Sequence, residues 1–155
     1  MPTSSSGAGH GPREALVRGG PSGHNGAAVR LPPPVIEALR PWFPDLPLER
    51  VRLVQGGPVC WFVRSVLRQG AMTVYPFVFL GRARYDPASP RFLSLMAHEM
   101  KHIEQYRRYG LLPFLARYLW DLARHGFRYS QRLPLEAEAY ALQAEFEGQQ
   151  RQPGA

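Results

Sequence analysis

Cysteine occurs once in this chain, as Cys60. A single thiol excludes an intramolecular disulfide and any four-cysteine zinc site, and its apolar neighbours in PVCWFV read as those of a packing residue in a reducing, cytoplasmic setting. Long apolar runs are missing too. The first twenty residues, MPTSSSGAGHGPREALVRGG, lack the stretch of about 7 to 15 apolar residues that a secretory signal needs. The most apolar segment, LLPFLARYLWDLA at 111–123, is interrupted by Arg117 and Asp121 and falls short of the roughly 18 residues of a membrane span. It must pack on protein or lie on a bilayer surface. Acid is scarce beside base: 12 Asp and Glu against 19 Lys and Arg leave a net charge of +7. Lys101, Arg107, Arg108, Arg117, Arg124, Arg128 and Arg132 face only Glu104 and Asp121 in residues 101–132. This reads as a solvated arginine surface, with a phosphate-binding surface or peripheral contact to anionic membrane as the functional alternative. No helix-turn-helix or aromatic RNA platform accompanies the charge, so no nucleic-acid partner is expected.

Proline and glycine, by contrast, are plentiful and unevenly placed. Residues 1–30 are mostly Gly, Ser, Pro, Ala, Arg and His and read as a disordered leader, and 148–155 (GQQRQPGA) as a disordered tail, which leaves one domain over 31–147. Pro32 to Pro34 open a short helix with Val35, Ile36, Leu39, Trp42 and Phe43 on its apolar side. Residues 50–54 alternate as a half-buried strand, and 59–68 lean toward a helix. Residues 71–80 (AMTVYPFVFL) read as one strand, which Pro76 confines to an edge or a bulge. Three helices follow. The first is capped by the Ser89 hydroxyl, starts at Pro90 and stops at Gly110; the second covers 112–124, ended by His125-Gly126; the third starts near Pro134 with Ala137, Tyr140, Ala141 and Ala144 on one face. The predicted fold class is α+β, mainly helical, with a small sheet whose edge strand precedes the first of these helices.

That helix carries His98-Glu99-Met100-Lys101-His102, an HExxH pattern. Two histidines four apart project from one helix face about a turn apart, so both imidazoles reach one zinc ion at about 2.0 to 2.1 Å. Glu99 then sits beside the metal as a general base for a zinc-bound water. One zinc per chain is expected. A metzincin would need Gly three residues after the second histidine and His three residues further on, where this chain has Gln105 and Arg108, so the third ligand is sought among later glutamates. PLEAEAYA offers Glu136 and Glu138, which lie about 200° apart around a helix and cannot both face one metal. Glu136 is preferred, because Ala139 and Tyr140 a turn later allow close helix approach; Glu136 with Ala139 also fits the Glu-x-x-Ala part of the gluzincin third-ligand motif.

LMAHEMKHIEQYRRYG, with its HExxHxxQ, followed later by LPLEAEAYA, resembles a family of small bacterial zincin-like domains related to the core domain encoded near extracellular contractile injection systems. The resemblance covers roughly residues 40 to 147 and extends to FPDLPLERVRLV and AMTVYPFVFL. It implies a gluzincin-like minimal metallopeptidase fold with His98, His102 and Glu136 as ligands and Glu99 as base. This chain departs from the family pattern at Tyr75-Pro76, where the strand before the motif usually carries a small residue.

Other residues have two readings each. Gln105, seven residues after His98, either hydrogen-bonds a ligand or packs; His125 is a helix-terminal cation or a transition-state donor. Tyr129 and Tyr140 could donate to an oxyanion, with core packing the better reading, and Phe114, Tyr118, Leu119 and Trp120 read as a core stripe. The functional expectation is a zinc metallopeptidase acting on a peptide or protein. The alternative is a non-catalytic zincin-fold module that binds a partner through its arginine-rich surface, favoured by a domain too small to wall a deep cleft.

Overall fold

The sheet is assembled from strands that the chain visits out of order. The computed structural model describes residues 26–124, 126 and 133–151. The described residues form β1 (Ala28–Arg30), α1 (Pro33–Leu39), a 3-10 turn (Leu48–Arg50), β2 (Arg52–Gln55), α2 (Gly57–Ser65), β3 (Ala71–Val74), β4 (Phe77–Leu80), α3 (Pro90–Tyr109), α4 (Leu111–Arg124) and α5 (Pro134–Arg151). The class is α+β, with five helices and one four-stranded sheet among the described residues. Strand order is β1-β2-β4-β3, with β2 and β4 parallel and the other pairs antiparallel. Most of the leader expected over 1–30 lies outside the described residues, but its last three form β1, paired with β2 from Ala28↔Val54 to Arg30↔Arg52. At the other end, α5 runs through Gly148–Arg151, four residues into the expected tail.

The segment 71–80 is a hairpin rather than one strand. Val74 pairs with Phe77, so Tyr75 and Pro76 are its two-residue turn, where a missing N–H costs no ladder bond. The β-branched and aromatic content across 71–80 hid the reversal, because both arms are apolar. β4 is paired on both sides, and β1 and β3 are the two sheet edges. In β2, Leu53 enters the main core and Val54, pointing the other way, is also buried. The Cys60 thiol of α2 donates to the Val54 carbonyl at 3.2 Å, which puts α2 over that second face. Burial pushes the Cys60 thiol up, in keeping with a packing role.

α3 is the central element, because its buried residues include Phe92, Met96, Met100 and Ile103 on one side and His98, His102 and Gln105 on another. Its start differs from expectation: Ser89 makes no side-chain cap, and the backbone carbonyl of Ser89 instead accepts from Phe92 and Leu93, each at 3.0 Å, after Pro90 has set the first turn. α5 lies along α3 with a different face from the alanine-rich one expected. Ala137, Ala141 and Ala144 are exposed, whereas Leu135, Ala139, Leu142 and Phe146, at i, i+4, i+7 and i+11, turn inward. Larger side chains gain more from burial, so leucine and phenylalanine set the phase and alanine is left as a helix former on the surface.

Phe146 is wholly buried, its ring 5.5 Å from that of Trp42. Phe146→Ala should destabilise the protein by about 3 to 5 kcal/mol in denaturant unfolding, whereas Ala144→Ser, on the solvent side, should stay within about 0.5 kcal/mol.

Candidate metal centre

Twenty residues of unbroken helix place His98 and His102 a turn apart, and both side chains are buried on the side of α3 that meets α5. Their Nε2 atoms lie 3.2 Å apart. Glu136, in the first turn of α5, brings Oε2 to 3.5 Å from His98 Nε2 and Oε1 to 3.7 Å from His102 Nε2. One ligand atom from each of the three falls within 4.8 Å of the others. The set suits a metal: bonds of about 2.0 to 2.1 Å to a tetrahedral ion put ligand atoms about 3.3 Å apart, close to these separations. Two imidazole nitrogens and one carboxylate are the donors of a borderline-soft divalent cation, and three of them leave a position open.

The two histidines are held unequally. Gln105, 2% exposed, uses its Nε2 to donate to the Leu135 carbonyl at 3.0 Å and to Glu138 Oε2 at 3.1 Å. Its Oε1 is therefore an acceptor, 2.9 Å from His102 Nδ1. The proton of His102 sits on Nδ1, and Nε2 presents its lone pair to the cluster. Gln105 also ties α3 to the residue before Glu136, so one side chain orients two members of the triad. Glu138 is excluded from the cluster and serves as the acceptor for Gln105. His98 Nδ1 is buried with no hydrogen-bond partner among the described residues, and its ring meets Tyr140 edge-on at 4.6 Å.

Glu99 lies beside the triad without joining it. It is buried, and the Thr73 hydroxyl of β3 donates to its Oε2 at 2.5 Å. Tyr106 donates to the Thr73 carbonyl at 2.7 Å, which fastens the sheet edge to α3. Tyr118 of α4 donates to Glu136. Burial, and then the nearby carboxylates Glu99 and Glu136, push the Tyr106 phenol up; burial, and then Glu136, do the same to Tyr118.

These groups open on a cavity of about 450 Å³ whose walls are β3, the turn after α2, α3 and α4. The small domain does wall a cleft. Phe114 and Tyr118, expected in a core stripe, line this cavity, while Leu119 and Trp120 of the same stripe are 57% and 65% exposed. Tyr140 packs on His98 and does not line it. His125, Tyr129, Arg128 and Arg132 lie outside the described residues. Thr73 and Tyr106 were not among the residues singled out from sequence, and Tyr118 was named there only as part of the core stripe. For Tyr106 there was a signal, because it continues the spacing of His98 and His102 by one more turn; Thr73 offered none, since its place depends on the sheet register.

The family model of the eCIS core domain matches residues 30–110, just over half of the chain. The match includes His98, Glu99, His102, Gln105 and Tyr106, and ends before Glu136. No curated protein and no solved structure matches the chain.

Gln105→Ala should weaken zinc affinity about 10- to 100-fold in titration calorimetry, through loss of the His102 tautomer lock and the tie to Leu135. Glu138→Ala, which leaves both of those bonds in place, should weaken it far less.

Proposed function

The chain belongs to the eCIS core domain family, and on that premise we propose that it is a zinc-dependent hydrolase of peptide or protein amide bonds, a minimal gluzincin-like metallopeptidase. His98, His102 and Glu136 hold the ion and Glu99 is the general base. The observation that carries this reading is the separation of roles around one cavity: three donors cluster, and a second buried acid, Glu99, lines the same space outside the cluster. A purely structural zinc site recruits a fourth ligand and has no use for a base.

Bound in this site, zinc supplies Lewis acidity toward a carbonyl oxygen and toward water. Glu99 accepts a proton from the attacking water and returns it to the departing amide nitrogen. The Thr73 hydroxyl holds Glu99 Oε2, so the carboxylate meets the water in one rotamer and loses little entropy during the reaction. Gln105 keeps the His102 lone pair aimed at the cluster. Of the two phenols on the cavity wall, Tyr106 is committed to the sheet edge and Tyr118 to Glu136, so negative charge developing on a substrate oxygen takes the Tyr118 hydrogen bond only in exchange for the one to Glu136. Val66, Leu67, Phe114 and Leu115 give the cavity an apolar side beside the reacting groups.

The reading is tested on purified full-length protein. His98→Ala, His102→Ala and Glu136→Ala should each lose the zinc that the wild type retains at one equivalent, measured by elemental analysis after dialysis. Glu99→Gln should keep zinc and melting temperature and lose about 100- to 10,000-fold in turnover of a quenched peptide, because the amide still accepts from Thr73 but takes no proton. A wild type that holds zinc and turns over no member of a broad peptide library would make the ion a cross-link between α3 and α5, and the chain a binding module.

A further inference from the structure

Two helices that border the cavity leave apolar side chains in solvent. Along α2 and its C-terminal cap, Val59, Phe62 and Val66 are 42%, 45% and 53% exposed and recur at i, i+3 and i+7, which makes them one stripe. On α4, Leu112, Leu115 and Leu119 repeat that spacing at 77%, 38% and 57%. The stripes reach the cavity from separate walls, since Val66 and Leu115 both line it while remaining exposed. A folded domain seldom leaves so much apolar surface in water unless something covers it.

The residues beside the stripes select the cover. Trp61 and Trp120 are 63% and 65% exposed, and indole is enriched at the boundary between headgroups and acyl chains. Arg117 and Arg124 stand one helical turn before and one after Trp120, and both are exposed. Arg64 and Arg68 follow Trp61, both exposed, and residues 57–69 contain no acid. A second copy of this chain is a poor match, because the same arginines would face one another across the contact. An anionic bilayer satisfies both features at once: leucine, valine and indole enter the acyl boundary while guanidinium groups stay at the phosphates. No helix among the described residues is long and apolar enough to cross a membrane, so the contact is one of surface seating.

We infer that the face formed by α2 and α4 docks on an anionic membrane surface, with the cavity of the metal centre opening toward the headgroups. The docking uses neither the metal ligands nor Glu99 and stands apart from the hydrolase reading; that the reaction takes place at the bilayer rests on both.

The full chain is mixed at low salt with vesicles of phosphatidylcholine alone, or of phosphatidylcholine with about one-third phosphatidylglycerol, and the bound fraction is read by cosedimentation. Binding is expected on the anionic vesicles only, declining as salt is raised, with tryptophan emission quenched by lipids brominated on their acyl chains. Arg117→Gln with Arg124→Gln should lower partitioning roughly tenfold or more, and so should Leu119→Asn with Trp120→Ser, while the melting temperature of each pair stays near that of the wild type. Glu99→Gln should bind vesicles like the wild type, so a failure of catalysis and a failure of docking are read separately. A wild type that does not sediment with the anionic vesicles overturns the inference, as does binding that ignores both pairs of substitutions. A dimer in sedimentation equilibrium that Leu119→Asn with Trp120→Ser dissociates, without vesicle binding, would assign the face to a second copy and overturn it too.

Discussion

Leu135 and Phe146 hold the two ends of α5 against the rest of the domain, and that seating decides where Glu136 stands. The histidines need only an unbroken helix; the carboxylate needs a second helix laid along the first in the correct phase. Burial of Leu135, Ala139, Leu142 and Phe146 supplies that phase, and Gln105 fixes it at the end where the donors meet, by bonding the Leu135 carbonyl. Rotation of α5 by one residue would turn Glu136 away by about 100° and expose Phe146, so the energetics of the core and the geometry of the donors point to the same arrangement.

Polar groups are concentrated where the domain could have been apolar. Thr73, His98, Glu99, His102, Gln105 and Glu136 are all buried. Such a network is costly unless its members satisfy one another, and most of it is satisfied by named partners: Thr73 with Glu99, Gln105 with His102, Tyr118 with Glu136. The exception among the described residues is His98 Nδ1.

How much could be read from the chain alone depended on distance along it. The donors on α3 were legible because helical spacing is a local property, and α3 itself was delimited at Pro90 and Gly110. The preference for Glu136 over Glu138 rested on small neighbours, and the folded arrangement gives Glu138 another task, as acceptor for Gln105. The hairpin within 71–80 was hidden because two apolar arms joined by Tyr75-Pro76 look like one strand until the pairing Val74↔Phe77 is known. The alanine face of α5 misled because alanine favours helix whether or not it is buried. The aromatic stripe of α4 divided between cavity wall and solvent for a similar reason: periodicity reports that a helix has an apolar side but not how much of that side finds a neighbour.

Gly110 is the only residue between α3 and α4, at φ 80° and ψ 153°, backbone angles that glycine alone adopts readily. The direction in which α4 leaves α3 is thus set by two dihedral angles of one residue, and Phe114 and Tyr118 move with that direction as a block while His98 and His102 do not. The histidine spacing and the cleft wall are therefore set separately: a chain that kept HExxH but carried a side chain at position 110 could retain its histidine pair and still present it to a differently shaped space.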